Sequence, residues 1–189
     1  GGSKWTKTIT NVVALCKAVD MIQNLSIQVS FRTTSGNSPY IVMAYDSRTD
    51  KFSKVKQMFP YLTSGGTTPE GLCFEAIMNN FLPANNDMDS YFLNISDGEP
   101  YFHGSHFYYA GHVACEHTRK MVKNIEGMGI KVMSYFVGDS GYDSDENSSS
   151  STRIFKECYG PAAHYINVTN VNEVTRSMNR LFMSKPQNS

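Results

Sequence analysis

Tyr91-Phe92-Leu93-Asn94-Ile95-Ser96-Asp97-Gly98-Glu99-Pro100 is a nearly continuous apolar run that ends in an acidic turn. Such a run is typical of a strand that is covered on both faces, as in a parallel sheet. Gly98 lets the backbone turn away after the strand, and Pro100 stiffens the exit. Ligands of open α/β sheets bind beyond the carboxyl ends of the strands, and Asp97 therefore becomes the first candidate site residue.

Helical and strand-like patterns alternate on both sides of this segment. The sequence before it predicts helices over residues 4–24 and 52–59, an antiparallel strand pair over 27–31 and 40–45, and a helix opened by Pro69. The sequence after it predicts helices over residues 109–127, 153–159 and 170–182 and strands over 130–137 and 164–168. This alternation predicts an α/β fold, namely a doubly wound, mainly parallel sheet with one antiparallel edge strand and helices on both faces. Because neither a repeat nor a linker interrupts it, residues 1–185 are predicted to form one domain and residues 186–189 a disordered tail.

The bulk composition excludes several classes of partner. The chain has 189 residues, of which 40% are hydrophobic and 18% charged, with a formal net charge of zero. A neutral chain offers no basic surface for nucleic acid or for an anionic membrane, and no apolar run is long enough to span one. The N-terminal residues lack a secretion signal, so we expect a cytoplasmic, intracellular protein. Four cysteines in predicted helices are expected to be buried free thiols, as in a reducing compartment, at Cys16, Cys73, Cys115 and Cys158.

A second candidate residue precedes the helix that Pro69 opens. Thr68 ends a glycine-bearing loop, and its hydroxyl can point toward the same edge of the sheet as Asp97. One carboxylate with one hydroxyl is a hard-oxygen set that suits Mg²⁺ or Mn²⁺ with several retained waters. The alternative is that Thr68 caps the helix and Asp97 caps the segment after the strand. Local chemistry leaves both interpretations open.

Two further groups of polar residues are weaker candidates for a site. His112, Cys115 and Glu116 lie three and four residues apart on a predicted helix, which could bind Zn²⁺, but a packed cysteine beside solvated histidines is favoured. The segment after residue 138 is acidic and rich in serine, and it lacks the spacing of a calcium loop. It follows a strand at the same edge as Asp97. We therefore expect Glu99, Asp139 and Asp143 to line a partner-binding rim there.

Several motifs resemble those of one known family. Ser64-Gly65-Gly66-Thr67-Thr68-Pro69-Glu70-Gly71-Leu72 resembles the glycine–threonine loop of von Willebrand factor A (VWA) domains, and Leu93–Pro100 resembles their strand-end Ser/Thr-Asp-Gly-x-Pro motif. The order and spacing are similar along the whole chain, with the CobT-type subunit of cobalt chelatases as the closest likeness. The resemblance implies a VWA, Rossmann-like fold with a metal ion-dependent adhesion site (MIDAS). It implies Thr68 and Asp97 as metal ligands, with Thr67 as the fallback for Thr68.

The first ligand loop of that family has no counterpart here. It reads Asp-x-Ser-x-Ser at the end of a central strand, and no such motif occurs in this chain, which starts at Gly1 where that loop should be ending. We therefore expect an N-terminally incomplete domain that lacks its first central strand. The strand over residues 27–31 should not pair directly with the strand over residues 91–95. Mg²⁺ or Mn²⁺ binding should be weak or absent, because two oxygen ligands are too few.

These observations favour a metal-dependent protein-interaction module within a larger protein or complex. The resemblance implies that a carboxylate of a protein partner completes the metal shell. One alternative is a subunit of a chelatase-like machine that inserts a metal and is driven by an AAA+ ATPase. Another is a structural domain with a vestigial metal site. The sequence shows no nucleophile–base pair and no phosphate loop, so no catalysis by this domain itself is expected.

Overall fold

The computed structural model describes residues 3–21, 26–36, 38–63, 65–67, 69–81, 90–96, 98–138, 150–161, 164–167 and 176. Four predicted site residues lie outside these ranges, namely Thr68, Asp97, Asp139 and Asp143. Apart from residue 176, the predicted closing helix over residues 170–182 and the tail also lie outside them.

Helices and strands alternate along the described chain, which confirms the predicted α/β class. The helices are α1 (Ser3–Asp20), α2 (Ser53–Met58) followed by a 3₁₀ turn (Phe59–Tyr61), α3 (Glu70–Met78), α4 (Gly111–Gly127) and α5 (Ser150–Tyr159). The strands are β1 (Gln28–Ser35), β2 (Ser38–Asp46), β3 (Ser90–Ser96), β4 (Phe102–His103), β5 (Tyr108–Tyr109), β6 (Ile130–Gly138) and β7 (His164–Asn167).

Strands β3, β6 and β7 form a parallel sheet with β6 in the centre. Ser90 lies opposite Ile130 and Ser96 lies opposite Phe136, so β3 and β6 run side by side without a register shift. This confirms that the two apolar runs are neighbouring parallel strands. The consequence for the site is that β3 and β6 end at one edge of the sheet.

Strands β1 and β2 form an antiparallel hairpin, as the sequence predicts. Gly36 sits in the turn with a φ of 55°, a conformation that glycine adopts at little cost. The hairpin forms its own two-stranded sheet, and within the described residues β1 does not pair with β3. Instead, Arg32 of β1 reaches β3 through its side chain, where Nη2 donates a hydrogen bond to the Ile95 carbonyl at 3.1 Å. The expected absence of direct pairing between these strands is confirmed.

The apolar core consists of two main clusters. One lies among α3, α4, α5 and the start of β6, where the fully buried Phe74 packs edge-to-face against Phe92. The other lies among α1, the β1–β2 hairpin and α2, around Cys16 and Val55. Of the helices in the described ranges, none combines the length and apolarity that crossing a membrane would require.

Two of the four cysteines correct the sequence prediction. Cys115 of α4 and Cys158 of α5 form a disulfide bond, so the expectation of four free thiols is wrong for this pair. The two helices pack against each other and bring the Cα atoms to 4.5 Å, although 43 residues separate them in sequence. Cys16 and Cys73 are free and buried, as predicted. The disulfide also removes Cys115 from the zinc alternative, because its sulfur is already bonded.

A short hairpin, β4–β5, follows β3 and was not predicted. Its two strands pair Phe102 with Tyr109 and His103 with Tyr108, and the Gly104 N–H donates to the Phe107 carbonyl at 2.8 Å. The helix predicted to begin near Tyr109 therefore begins at Gly111. Strands of two residues are too short to show an alternating pattern, so no periodicity predicts them.

Candidate functional site

The carboxyl edge of the parallel sheet is where the two predicted metal ligands fall in sequence. Ser96 ends β3 directly before Asp97, and Glu70 begins α3 two residues after Thr68. Thr68 and Asp97 themselves lie outside the described residues, so their role as ligands stays a prediction. The same holds for Asp139 and Asp143, which follow β6 in sequence, whereas the remaining predicted rim residue, Glu99, is exposed after β3.

A hydrogen bond joins the two segments that flank Thr68 and Asp97. The Ser96 hydroxyl donates to Glu70 Oε1 at 2.5 Å, and both side chains are buried. The same hydroxyl accepts a hydrogen bond from the Gly98 N–H at 3.4 Å. The start of α3 and the turn after β3 are therefore held together through one side-chain oxygen.

Arg32 brings a positive charge to this edge. Its Nη2 atom lies 3.5 Å from Glu70 Oε1, in addition to its hydrogen bond with the Ile95 carbonyl. The guanidinium carbon lies 5.7 Å from the centre of the Phe74 ring, a cation–π contact that further fixes the side chain. In the sequence, Arg32 is a polar residue directly after the predicted strand over residues 27–31. The structure shows that it spans from β1 to the end of β3.

Glu70 is a carboxyl group with no exposed surface. Burial raises its pKa, because a charge is poorly solvated there, while Arg32 and Ser96 act in the opposite direction. Burial also raises the pKa of Tyr159 well above its usual value, and the nearby Glu70 carboxylate adds to this effect. Glu70 Oε2 and the Tyr159 hydroxyl are both buried and make no hydrogen bond of good geometry among the described residues, although the two side chains lie close enough for each to shift the pKa of the other. Such unpaired polar atoms are costly, and they are uncommon outside functional or strained sites.

The glycine loop before α3 packs against β1. Gly66 has a φ of 77°, and a β-carbon added there would overlap the Thr34 hydroxyl. The next residue, Thr67, donates its backbone N–H to that hydroxyl at 3.3 Å. The Thr67 hydroxyl is itself buried without a hydrogen-bond partner in the described part of the chain. The fallback ligand therefore has an unused oxygen beside the segment that contains Thr68.

A second polar cluster lies between α3 and α4. The Tyr109 hydroxyl donates to the Ala114 carbonyl at 3.1 Å, and it lies 2.9 Å from His117 Nδ1 and 3.2 Å from the Thr118 hydroxyl. Burial raises the pKa of Tyr109 to about 12. His117 continues the chain of contacts, because its Nε2 atom lies 3.3 Å from a carboxylate oxygen of Glu75. This cluster fixes how α3 packs on α4, and no local sequence pattern predicts it.

The residues of the zinc alternative are not gathered into a site. His112 and Glu116 form an exposed pair along α4, with 3.4 Å between Nδ1 and Oε2. Over the described ranges, no three side chains among His, Cys, Asp and Glu come together in a way that could hold a metal ion. That finding does not test the predicted oxygen ligands, since Thr68 and Asp97 are outside those ranges.

Glu70, Ser96, Arg32 and Tyr159 were all missed as site residues by the sequence analysis. The available signal was positional: Glu70 lies next to the predicted ligand loop, and Ser96 directly precedes Asp97. Nothing in the spacing of Arg32 or Tyr159 indicates that they converge on Glu70 from β1 and α5. Compared with models of known protein families and with curated proteins, the chain matches none.

Proposed function

We propose that this chain is most of a VWA-type protein-interaction module that holds Mg²⁺ or Mn²⁺ at the carboxyl edge of β3. The observation that carries this proposal is the hydrogen bond between Ser96 and Glu70. It ties together the two segments that contain the predicted ligands in sequence, Asp97 and Thr68. A hydroxyl and a carboxylate from such adjacent segments are ligands of the kind that Mg²⁺ prefers.

Because the proposed site has only a few protein ligands, the cation keeps coordination positions that a partner can occupy. Mg²⁺ favours about six oxygens, of which Thr68 and Asp97 supply a minority and water the rest. A carboxylate from a protein partner can replace one of these waters and so bind only when the cation is present. Glu99, Asp139 and Asp143 follow β3 and β6 in sequence, and we assign them to the rim that the partner meets. Their negative charges favour a partner whose surface around its carboxylate is basic.

A further strand between β1 and β3 completes the proposed module. The supporting observation is that β1 contacts β3 through the long side chain of Arg32 rather than through backbone pairing. A strand in this position would pair with the backbone groups that β1 and β3 leave without a strand partner among the described residues, and proteins rarely leave such groups exposed. If that strand ends in Asp-x-Ser-x-Ser, it supplies additional oxygen ligands at the same edge. The present chain alone should therefore bind cations weakly.

Titration calorimetry with Mg²⁺ and Mn²⁺ tests the site assignment. We expect weak heats from this chain and clear binding from a version that carries an added N-terminal strand ending in Asp-x-Ser-x-Ser. In that version, Asp97→Ala should abolish binding and Thr68→Val should weaken it, because each removes an oxygen ligand. Asp20→Ala, at the exposed end of α1, is the control and should change nothing. Unchanged binding after Asp97→Ala contradicts the assignment.

A structural domain without a working metal site is the second candidate, and Arg32 favours it. The Arg32 guanidinium group lies 3.5 Å from Glu70 and donates a hydrogen bond to the Ile95 carbonyl of β3, so its positive charge repels a cation at this edge. If the site is vestigial, neither version binds Mg²⁺ or Mn²⁺, and partner binding is insensitive to chelators. The chelatase-like alternative rests on the resemblance alone. Co-purification with an AAA+ ATPase is the observation that would favour it.

A further inference from the structure

We infer that Glu70 is a positioning residue, which sets the Ser96 side chain and, through it, the position of Gly98. Ser96 and Gly98 flank Asp97 in the sequence. The inference concerns described residues, and its consequence for cation affinity rests on the proposed function. Glu70 is not proposed as a metal ligand. It acts through Ser96.

The contacts give Glu70 control over the turn. Its Oε1 atom accepts the hydrogen bond from Ser96 at 2.5 Å, and this fixes the direction of the Ser96 hydroxyl. Because the same hydroxyl accepts the Gly98 N–H at 3.4 Å, its orientation also constrains the backbone on the far side of position 97. Without an acceptor at Glu70, Ser96 Oγ keeps only its contacts with the Gly98 carbonyl oxygen at 3.2 Å and the Gly98 nitrogen at 3.4 Å, so the side chain is free to leave this rotamer.

Stability alone gives little reason for a carboxylate at this position. Replacing a buried ion pair with apolar groups is often neutral or stabilising, since two charges need not then be desolvated. Arg32 has 22% of its side chain exposed and can be solvated if Glu70 is removed. In addition, Glu70 Oε2 is buried with no hydrogen bond of good geometry among the described residues, which is an energetic cost. An arrangement that costs stability and fixes one hydroxyl is typical of a residue that orients a site.

The isosteric variant Glu70→Gln separates positioning from charge. The glutamine carbonyl oxygen can still accept the hydrogen bond from Ser96, and its amide can face the nearby Tyr159 hydroxyl. Glu70→Leu keeps the bulk and removes the acceptor. Ser96→Ala removes the donor and provides an independent variant if Glu70→Leu does not fold. Glu75→Gln is the matched control, because Glu75 lies on the same helix with its side chain 61% exposed.

The first measurement needs no metal. Three-bond NMR couplings report the rotamer of Ser96, and the amide resonance of Gly98 reports the turn. We expect a single Ser96 rotamer in the wild-type chain, in Glu70→Gln and in Glu75→Gln, and rotamer averaging in Glu70→Leu. The Gly98 resonance should shift in both Glu70→Leu and Ser96→Ala. An unchanged rotamer and an unchanged Gly98 resonance in Glu70→Leu would overturn the inference.

The second measurement is Mn²⁺ affinity, followed by water-proton relaxation, which detects weak binding. Glu70→Leu and Ser96→Ala should each weaken binding about tenfold, the lower end of the effect of outer-shell partners on metal sites. The double variant should bind no more weakly than either single variant, while Glu70→Gln stays within about twofold. The midpoint of urea unfolding of these variants should not change in parallel with their Mn²⁺ affinity. A loss in Glu70→Gln as large as in Glu70→Leu would show that the charge acts directly, which overturns positioning.

The two measurements keep the inference separate from the proposed function. If the wild-type chain and its strand-extended version bind no Mn²⁺, the proposed function fails. The Ser96 rotamer then decides by itself whether Glu70 positions the turn. If Mn²⁺ binds and Asp97→Ala abolishes binding while Glu70→Leu has no effect, the function stands and the inference fails.

Discussion

Substitution of Gly71 by alanine tests the packing of α3 against α4. Gly71 lies in the first turn of α3, directly beneath the polar cluster around Tyr109. A β-carbon at this position would overlap the Tyr109 hydroxyl and would lie 2.7 Å from the Thr118 hydroxyl and 2.9 Å from His117 Nδ1. All three belong to buried or half-buried side chains, so they can give way only by breaking their hydrogen bonds.

The expected magnitude follows from two opposing effects. Inserting a methyl group into a packed interior costs about 1–3 kcal/mol, which includes the displaced hydrogen bonds of Tyr109. Replacing glycine with alanine within a helix stabilises the folded state by roughly 0.4–1 kcal/mol, because the unfolded chain then has less conformational entropy to lose on folding. Gly71→Ala should therefore lower the free energy of unfolding by about 1–2 kcal/mol.

Gly127→Ala is the matched control, because it makes the same substitution at the last residue of α4, where no atom of the described residues lies within 4 Å of the added carbon. It should raise the free energy of unfolding by up to about 1 kcal/mol. In urea denaturation followed by far-ultraviolet circular dichroism, the two midpoints should differ by about 1 M, taking a slope of about 2 kcal/mol per M. Equal stability of the two variants, or a more stable Gly71→Ala, would refute the described packing of α3 on α4.

Three further predictions concern the cysteines and one ion pair. Reducing the disulfide between α4 and α5 should destabilise the fold by up to about 4 kcal/mol in the chain-entropy model, measured as a lower urea midpoint in dithiothreitol; an unchanged midpoint would contradict it. Cys16 and Cys73 should resist iodoacetamide at pH 8 until the chain unfolds, because burial raises the pKa of each thiol to about 11; rapid labelling of the native protein would argue against that burial. A hydrogen bond from Arg48 holds the pKa of Asp46 well below its usual range, so the stabilisation is present above about pH 4 and is lost as the pH falls. Asp46→Asn should therefore lower the free energy of unfolding by less than about 1 kcal/mol at pH 7 and should match the wild-type stability in acid. A stability difference between the two proteins that grows in acid would contradict this prediction.

The elements with strong periodic signals could be predicted from the sequence. The apolar runs before Asp97 and over residues 130–137 became the paired parallel strands β3 and β6, since such runs are stable only when both faces are covered. Alternation before Gly36, followed by turn-forming residues and a second strand, predicted the β1–β2 hairpin, because side chains in a half-buried strand point to opposite faces in turn.

The contacts that build the candidate site could not be predicted in the same way. Arg32 looked like an ordinary polar residue of a strand, and Glu70 looked like an acidic residue in the first turn of a helix, where the helix dipole favours it. Their meeting depends on how β1, α3 and β3 pack, which no local pattern encodes. The disulfide between Cys115 and Cys158 was missed for the same reason, because its partners meet only when α4 packs on α5.

The central claim is that a divalent cation binds beside the turn after β3, and paramagnetic relaxation by Mn²⁺ tests it most directly. Mn²⁺ broadens NMR signals of nearby protons even when it binds weakly. On titration of Mn²⁺ into the chain, we expect the amide signals of Gly98 and Thr67 to broaden first, and that of Thr49, in the loop after β2, to broaden last. Asp97→Ala should remove the preference for Gly98 and Thr67. Uniform broadening along the chain, or preferential broadening that survives Asp97→Ala, would contradict a metal site at this edge.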